Sequence, residues 1–232
     1  MRAILFDLDG TLLDIDLGTF LRTYFTAMGD AVAQHYPGLD VREAILTSTD
    51  AMQRPHPGVT NRDAFNADFA ARTGVDLSLP EHSSVFKTFY DEVFPGLGAG
   101  YGPAKGARRA VETTLSLGMA VVVATQPIFP RAAIEHRLAW AGLQDLGLDV
   151  LTTYEVMHAC KPLPDYFREA AAMVGHAPSE CAMVGDDRSL DMPAAHVGMR
   201  TFFVGGATAA ADWYGDLNDL ADLLPRLAAT ES

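Results

Sequence analysis

The chain has 232 residues, 49% of them hydrophobic, enough for the packed core of one domain or of one domain with a small insert. Its net charge of −13 and isoelectric point near 4.8 argue against nucleic acid as a partner, because a phosphate backbone needs basic surface; an anionic small molecule is compatible, since one pocket can differ in sign from the whole surface. Two isolated cysteines, Cys160 and Cys181, make no disulfide framework, no run approaches membrane-spanning length, and the first strand begins too near Met1 for a signal peptide to precede it. A cytoplasmic enzyme with reduced thiols and no membrane partner is the expectation.

Ala3-Ile4-Leu5-Phe6 is a short apolar run that reads as a buried strand, and it ends in Asp7-Leu8-Asp9-Gly10-Thr11. If the extended backbone continues through Leu8, Asp7 and Asp9 face the same way. Two carboxylates so placed repel by roughly 4 kcal/mol at ~4 Å in an effective dielectric near 20. A fold keeps such a pair with a cation between them or a proton on one. Gly10 lets the chain turn sharply, and Thr11 offers a hydroxyl.

From Asp14 to about Phe94 the period becomes helical. Phe20, Leu21, Tyr24, Phe25, Met28 and Val32 share one face. Asn61 reads as the cap of a helix that carries Phe65 and Phe69 and stops at Gly74. Val85, Phe86, Phe89, Tyr90, Val93 and Phe94 mark another helix, and its aromatics, with Phe65 and Phe69, read as the insert's own core. A glycine-rich stretch over 95–103 reads as a hinge. Helices at 107–117, 130–141, 164–174 and 217–227 then alternate with strands at 119–124, 181–184 and 201–204, which predicts a parallel sheet with helices on both faces. The Ala-Thr-Glu-Ser end reads as frayed.

Three polar clusters follow or flank these later elements. Thr125-Gln126-Pro127 ends the strand at 119–124. Lys161-Pro162, with one of only three lysines in the chain, precedes a helix. Gly185-Asp186-Asp187, with Asp191 beyond, ends the strand at 181–184. Singly these read as a turn hydroxyl, a solvated lysine and an acid-rich helix start. Together, mostly at the carboxyl ends of strands where open α/β sheets build their ligand sites, they point to one site.

On these residues (Asp7 to Thr11, Thr125, Lys161-Pro162, and Gly185-Asp186-Asp187 with Asp191) the chain resembles the haloacid dehalogenase superfamily in its phosphatase-like branch, from Ile4 to about Val204. The resemblance implies a Rossmann-like doubly wound parallel sheet core, residues 1–14 and 100–232, with an inserted α-helical cap and its hinges over 15–99. It implies Asp7 as nucleophile and Asp9 as general acid and base. Thr125 and Lys161 are implied to bind the transferring phosphoryl group, Asp186 to help hold magnesium, and Asp191 to be a further acid of that motif. Asp187 departs from the family's usual small polar residue, and Gln126 from the frequent Asn or Ser. Only a helix and a short strand fit between Thr125 and Lys161, which leaves no room for a second insert.

The chemistry of the residues agrees. Phosphoryl transfer is catalysed by positioning and charge stabilisation. Asp7, the Asp9 carbonyl and Asp186 offer the hard oxygens that Mg²⁺ prefers, with Asp187 and Asp191 as further candidates for the metal. Lys161 adds a point charge, and Asp9 can protonate a leaving oxygen and then activate water against an aspartyl-phosphate. The resemblance implies that dehalogenase relatives lack an acid at the position of Asp9. Substrate contacts are expected from Thr11, Gln126 and the irregular Arg54-Pro55-His56-Pro57-Gly58 loop, chosen over Arg22, Asn61, Arg62 and Lys87. The expected activity is a Mg²⁺-dependent phosphatase of a small phosphorylated metabolite. The alternatives are a phosphomutase of the β-phosphoglucomutase type and a receiver-like or non-catalytic phosphoacceptor.

Overall fold

The computed structural model describes residues 1–148, 150–208 and 210–229. Its strands are β1 (Ala3–Phe6), β2 (Leu13–Asp14), β3 (Gly102–Pro103), β4 (Ala120–Val123), β5 (Cys181–Gly185), β6 (Arg200–Val204) and β7 (Trp213–Gly215). Five of them form a parallel sheet in the order β4-β1-β5-β6-β7. β1 lies between β4 and β5, with Ala3 opposite both Ala120 and Cys181. All four of its residues are buried, the pattern of a strand covered on both faces. Ile4 and Phe6 enter one apolar cluster, and Ala3 and Leu5 enter another with Tyr166 and Phe167.

Helices α1 (Leu17–Ala33), α2 (Val41–Gln53), α3 (Asn61–Thr73) and α4 (Pro80–Thr88) lie between β2 and β3, followed by a π turn over Phe89–Val93 and a 3₁₀ turn over Phe94–Gly98. β2 and β3 pair antiparallel, Leu13 with Pro103 and Asp14 with Gly102, so the chain enters and leaves this insert side by side. The remaining helices are α5 (Ala107–Ser116), α6 (Arg131–Trp140), α7 (Pro164–Ala172) and α8 (Leu217–Ala229). The insert has no separate core. Phe20, Tyr24, Phe89 and Phe94 belong to the same buried cluster as Ile4, Phe6, Phe129 and Ile134. At the seam, Trp140 of α6 stacks on Phe94 and meets Phe20 edge-on.

Several expectations are corrected. The cap of α3 is Thr60, whose side chain accepts from the Asp63 N–H at 3.2 Å; Asn61 is the first helical residue and is fully buried. α2 and β7 are additional to the elements expected: β7 is only three residues long, whereas Val41, Ala44, Ile45, Ser48 and Met52 of α2 recur at helical spacing and bury one face. The C-terminal helix continues to Ala229 with Pro225 inside it, and the end expected to fray, 230–232, lies outside the described residues. Among the described residues no helix is long and apolar enough to cross a membrane.

Candidate active site

The carboxyl ends of three adjacent strands, β4, β1 and β5, deliver Thr125, Asp7 and Asp186 to one edge of the sheet. Asp7 directly follows β1, and its N–H donates to Val184 O at 2.8 Å, which fixes the backbone one residue past the strand. Lys161 Nζ donates to Asp7 Oδ1 at 2.7 Å and to Asp191 Oδ1 at 2.6 Å, with its side chain only 1% exposed. Lys161 is thus no surface lysine. Burial by itself pulls its ammonium down, but Asp191 and Asp7 outweigh burial and the net direction is up. Tyr166, four residues beyond the cis Lys161–Pro162 peptide, lies with its ring 5.8 Å from Nζ and donates its hydroxyl to Thr125 O at 2.9 Å.

Asp186 faces this pair from the other side and accepts from Thr11 Oγ1 at 3.1 Å. Gly10, at φ 85°, passes so close that a Cβ there would collide with the Asp186 carboxylate. Asp7, Asp186 and Asp191 each offer an oxygen within 4.8 Å of the others. Lys161 pairs with Asp7 and Asp191 only, and the third carboxylate, Asp186, has the Thr11 hydroxyl as its partner. Burial and then Asp7 push the Asp186 carboxyl up, and burial pushes Asp191 up to about 7 against the opposing pull of Lys161. Converging hard oxygens short of positive charge fit a divalent cation.

Asp9 and Asp187 lie outside that set of converging carboxylates. Asp187 Oδ1 is occupied by the Ser189 N–H at 2.7 Å, the Ser189 hydroxyl at 2.6 Å and the Leu190 N–H at 3.1 Å, an Asx turn that shapes the loop. Its own N–H donates to Asp191 Oδ2 at 3.0 Å. Asp9 pairs with Arg137 of α6. The expected repulsion between Asp7 and Asp9 is therefore met by two cations, Lys161 for one and Arg137 for the other, and not by one shared cation. Arg137 is fully buried, its guanidinium lies 4.3 Å from the Phe129 ring centre, and its Nε donates to Ala133 O at 3.3 Å. Asp9 Oδ1 and Arg137 Nη2 are buried without a hydrogen-bond partner. Burial raises the Asp9 carboxyl, and Arg137 opposes the rise.

Of the residues expected to touch substrate, Thr11, Gln126 and His56 hydrogen-bond to protein partners and Arg54 is exposed. Thr11 holds Asp186. Gln126 clamps the Lys161 main chain: Oε1 accepts from Lys161 N at 3.0 Å and Nε2 donates to Lys161 O at 3.2 Å. His56 Nε2 lies 2.8 Å from Asn61 Oδ1, and Nδ1 lies 2.6 Å from the carbonyl of Arg54, which is itself exposed at the end of α2. Arg137 and Tyr166 were not singled out by the sequence, because each sits in an ordinary helical pattern. A cavity of about 300 Å³ lies between the insert and the core segments at 128–132 and 154–155, lined by Tyr24, Phe65, Phe86, Tyr90, Phe129 and Tyr154 among others. Phe65 and Phe86, expected as interior packing, thus wall this space.

A family model described as haloacid dehalogenase-like hydrolase matches residues 1–198. Pyrophosphatase PpaX of Anoxybacillus flavithermus is 27% identical over 239 residues, covering 99% of this chain and 98% of its own length. A HAD phosphatase from Thermococcus onnurineus has a TM-score of 0.59 at 21% identity, with 97% of this chain and 98% of that one covered. A HAD family hydrolase from Deinococcus radiodurans, solved with bound phosphate and sodium, has a TM-score of 0.58 at 20% identity, covering 99% and 96%. At these identities the likeness to the two solved structures is one of fold.

Proposed function

Since the chain belongs to the haloacid dehalogenase-like hydrolases, we propose that it is a Mg²⁺-dependent phosphatase, cytoplasmic, that hydrolyses the phosphate monoester of a small metabolite through an aspartyl-phosphate on Asp7. One observation carries this reading: Lys161 bridges Asp7 and Asp191 beside Asp186, so a nucleophile, a fixed cation and a hard-oxygen cluster converge at the strand ends. An Asp7 oxygen forms a bond to phosphorus as the ester P–O bond breaks, and the Asp9 carboxyl gives its proton to the leaving oxygen. The Asp9 carboxylate then takes a proton from water. The water oxygen displaces Asp7 from phosphorus, releasing inorganic phosphate and restoring the carboxylate. Lys161, held in place by its two carboxylates, and the Thr125 hydroxyl bind the non-bridging oxygens. Asp7, Asp186 and Asp191 would hold Mg²⁺, which would supply neutralisation of phosphoryl charge. The insert over 15–99 serves as a cap that excludes water from the reacting atoms.

A phosphoanhydride is the second substrate class, favoured by the relative named a pyrophosphatase. The test is phosphate release from a panel of phosphate monoesters and from pyrophosphate, with Mg²⁺ and with chelator. Multiple turnovers that stop on chelation are expected. Asp7→Asn should keep the fold and lose turnover. Retention of more than about a tenth of kcat would overturn the assignment, because losing a covalent nucleophile costs far more. Interconversion of a sugar phosphate without net phosphate release would favour a mutase.

A further inference from the structure

We propose that Asn61, on the insert, is a positioning residue that sets the spacing of the Thr125 and Lys161 loops. The proposal rests on the phosphatase reading above. Asn61 is fully buried at the start of α3. Its Nδ2 donates to Pro127 O at 2.9 Å and to Ala159 O at 3.3 Å, and lies 3.5 Å from Cys160 Sγ. Pro127 stands two residues after Thr125, and Ala159 two residues before Lys161. One carboxamide from the insert thus spans both loops that the mechanism uses to grip the phosphoryl group.

The surrounding hydrogen bonds fix the direction of that carboxamide. Two main-chain carbonyls facing Nδ2 leave Oδ1 to face His56 Nε2. The Asn61 N–H donates to Met157 O at 2.7 Å, and the Arg62 N–H to Tyr154 O at 2.8 Å, which seats the first turn of α3 on the core segment leading to Lys161. A second cross-link runs parallel to the first, the Gln126 side chain on the Lys161 main chain. Gln126 joins the two loops from within the core, whereas Asn61 joins them from the insert. Seating of the insert is thereby coupled to the distance between the Thr125 hydroxyl and the Lys161 ammonium. His56 braces the coupling side chain through Oδ1.

Asn61→Ala is the direct test, read in two ways. Steady-state phosphate release should show kcat lowered by about tenfold with KM changed much less, since misplacement of a binding group is felt in the transition state. Hydrogen–deuterium exchange should rise in residues 125–128 and 159–163 of the folded protein. His56→Ala is the milder variant, which keeps both Nδ2 bonds but frees Oδ1, and should give a smaller loss of the same kind. Asn61→Asp should be worse than Asn61→Ala, because a carboxylate would face two carbonyl oxygens. A folded Asn61→Ala protein with wild-type kcat, or with unchanged exchange in both loops, overturns the proposal. If the wild-type chain releases no phosphate from any ester or anhydride, the phosphatase reading fails, and the exchange measurement still decides whether Asn61 ties the loops.

Discussion

Replacing Arg137 with methionine isolates the ion pair between α6 and Asp9. The Arg137 side chain is 0% exposed and that of Asp9 8%, so deleting the guanidinium strands a carboxylate that already has one oxygen without a partner. Removing one member of a buried pair costs about 3–5 kcal/mol, whereas an exposed pair is worth about 0–1 kcal/mol. Against a typical total of about 5–15 kcal/mol, the higher figure removes a large share of the stability. At about 2–4 °C per kcal/mol for a chain of this size, Tm should fall by about 6–20 °C. Burial already raises the Asp9 carboxyl and Arg137 opposes it. Without Arg137 the folded state holds the Asp9 proton to higher pH than the unfolded state does. The deficit of the variant should therefore grow as pH rises above the ordinary carboxylate range and shrink on acidification. Urea unfolding in chelator, followed by the fluorescence of Trp140 at the seam, measures this at about pH 5 and about pH 8. Arg137→Lys, which keeps the charge, should recover part of the loss. A deficit below about 1 kcal/mol at both pH values would refute a closed, buried pair.

Mg²⁺ should raise Tm more at about pH 8 than at about pH 5. Burial holds Asp186 and Asp191 above the ordinary carboxylate range, so the metal-free fold loses stability as pH rises through that window, and a bound cation relieves the loss; equal shifts at both pH values would contradict the shared cluster. Thr11→Val should weaken Mg²⁺ affinity by about tenfold, because the hydroxyl orients Asp186. Mg²⁺ titration of phosphate release reads this, and an unchanged midpoint would show that the bond orients nothing. The Cys160 thiol, pushed up to about 12 by burial, should resist iodoacetamide in the native protein and react in denaturant, whereas rapid native labelling would contradict its burial.

The parts of the site that the sequence announced are those built from local backbone. Asp7 and Asp186 sit immediately past apolar runs long enough to be strands, so their place at the sheet edge follows from the runs alone. Lys161 was legible through its order in the chain. Its burial between two carboxylates was not, because Asp7 and Asp191 approach it only in the fold. Thr11 and Gln126 each have a protein partner that only the fold reveals, because a polar side chain beside a site has no sequence mark that separates facing a ligand from facing a neighbour. Asn61 misread as a cap for a related reason: Thr60 and Asn61 both suit the cap, and what decides is that Asn61 finds carbonyls of residues 127 and 159. Arg137 falls on the α6 stripe of Ala133, Ile134, Leu138 and Ala141, so spacing alone puts it on the buried face, but a charged residue there gives no sign of its partner Asp9. The Asx turn at Asp187 uses partners two and three residues away, whereas the sequence offered that residue as a metal candidate or part of an acid-rich helix start.

The central position of β1 has a consequence for biosynthesis. β1 is made first among the strands of the sheet, yet its two partners are residues 120–123 and 181–185. At a translation rate of about 5–20 residues per second, β5 emerges roughly ten to forty seconds after β1. Until β4 emerges the Ala3–Phe6 run has neither ladder, and until β5 emerges it has at most one; pairing across such separations is the slow step of folding. The insert, made before β4, can already present Phe20 and Phe94, which share a cluster with Ile4 and Phe6 in the finished protein. Asp7 acquires its flanking strands only when β5 docks, so no nascent chain shorter than that contains the catalytic arrangement.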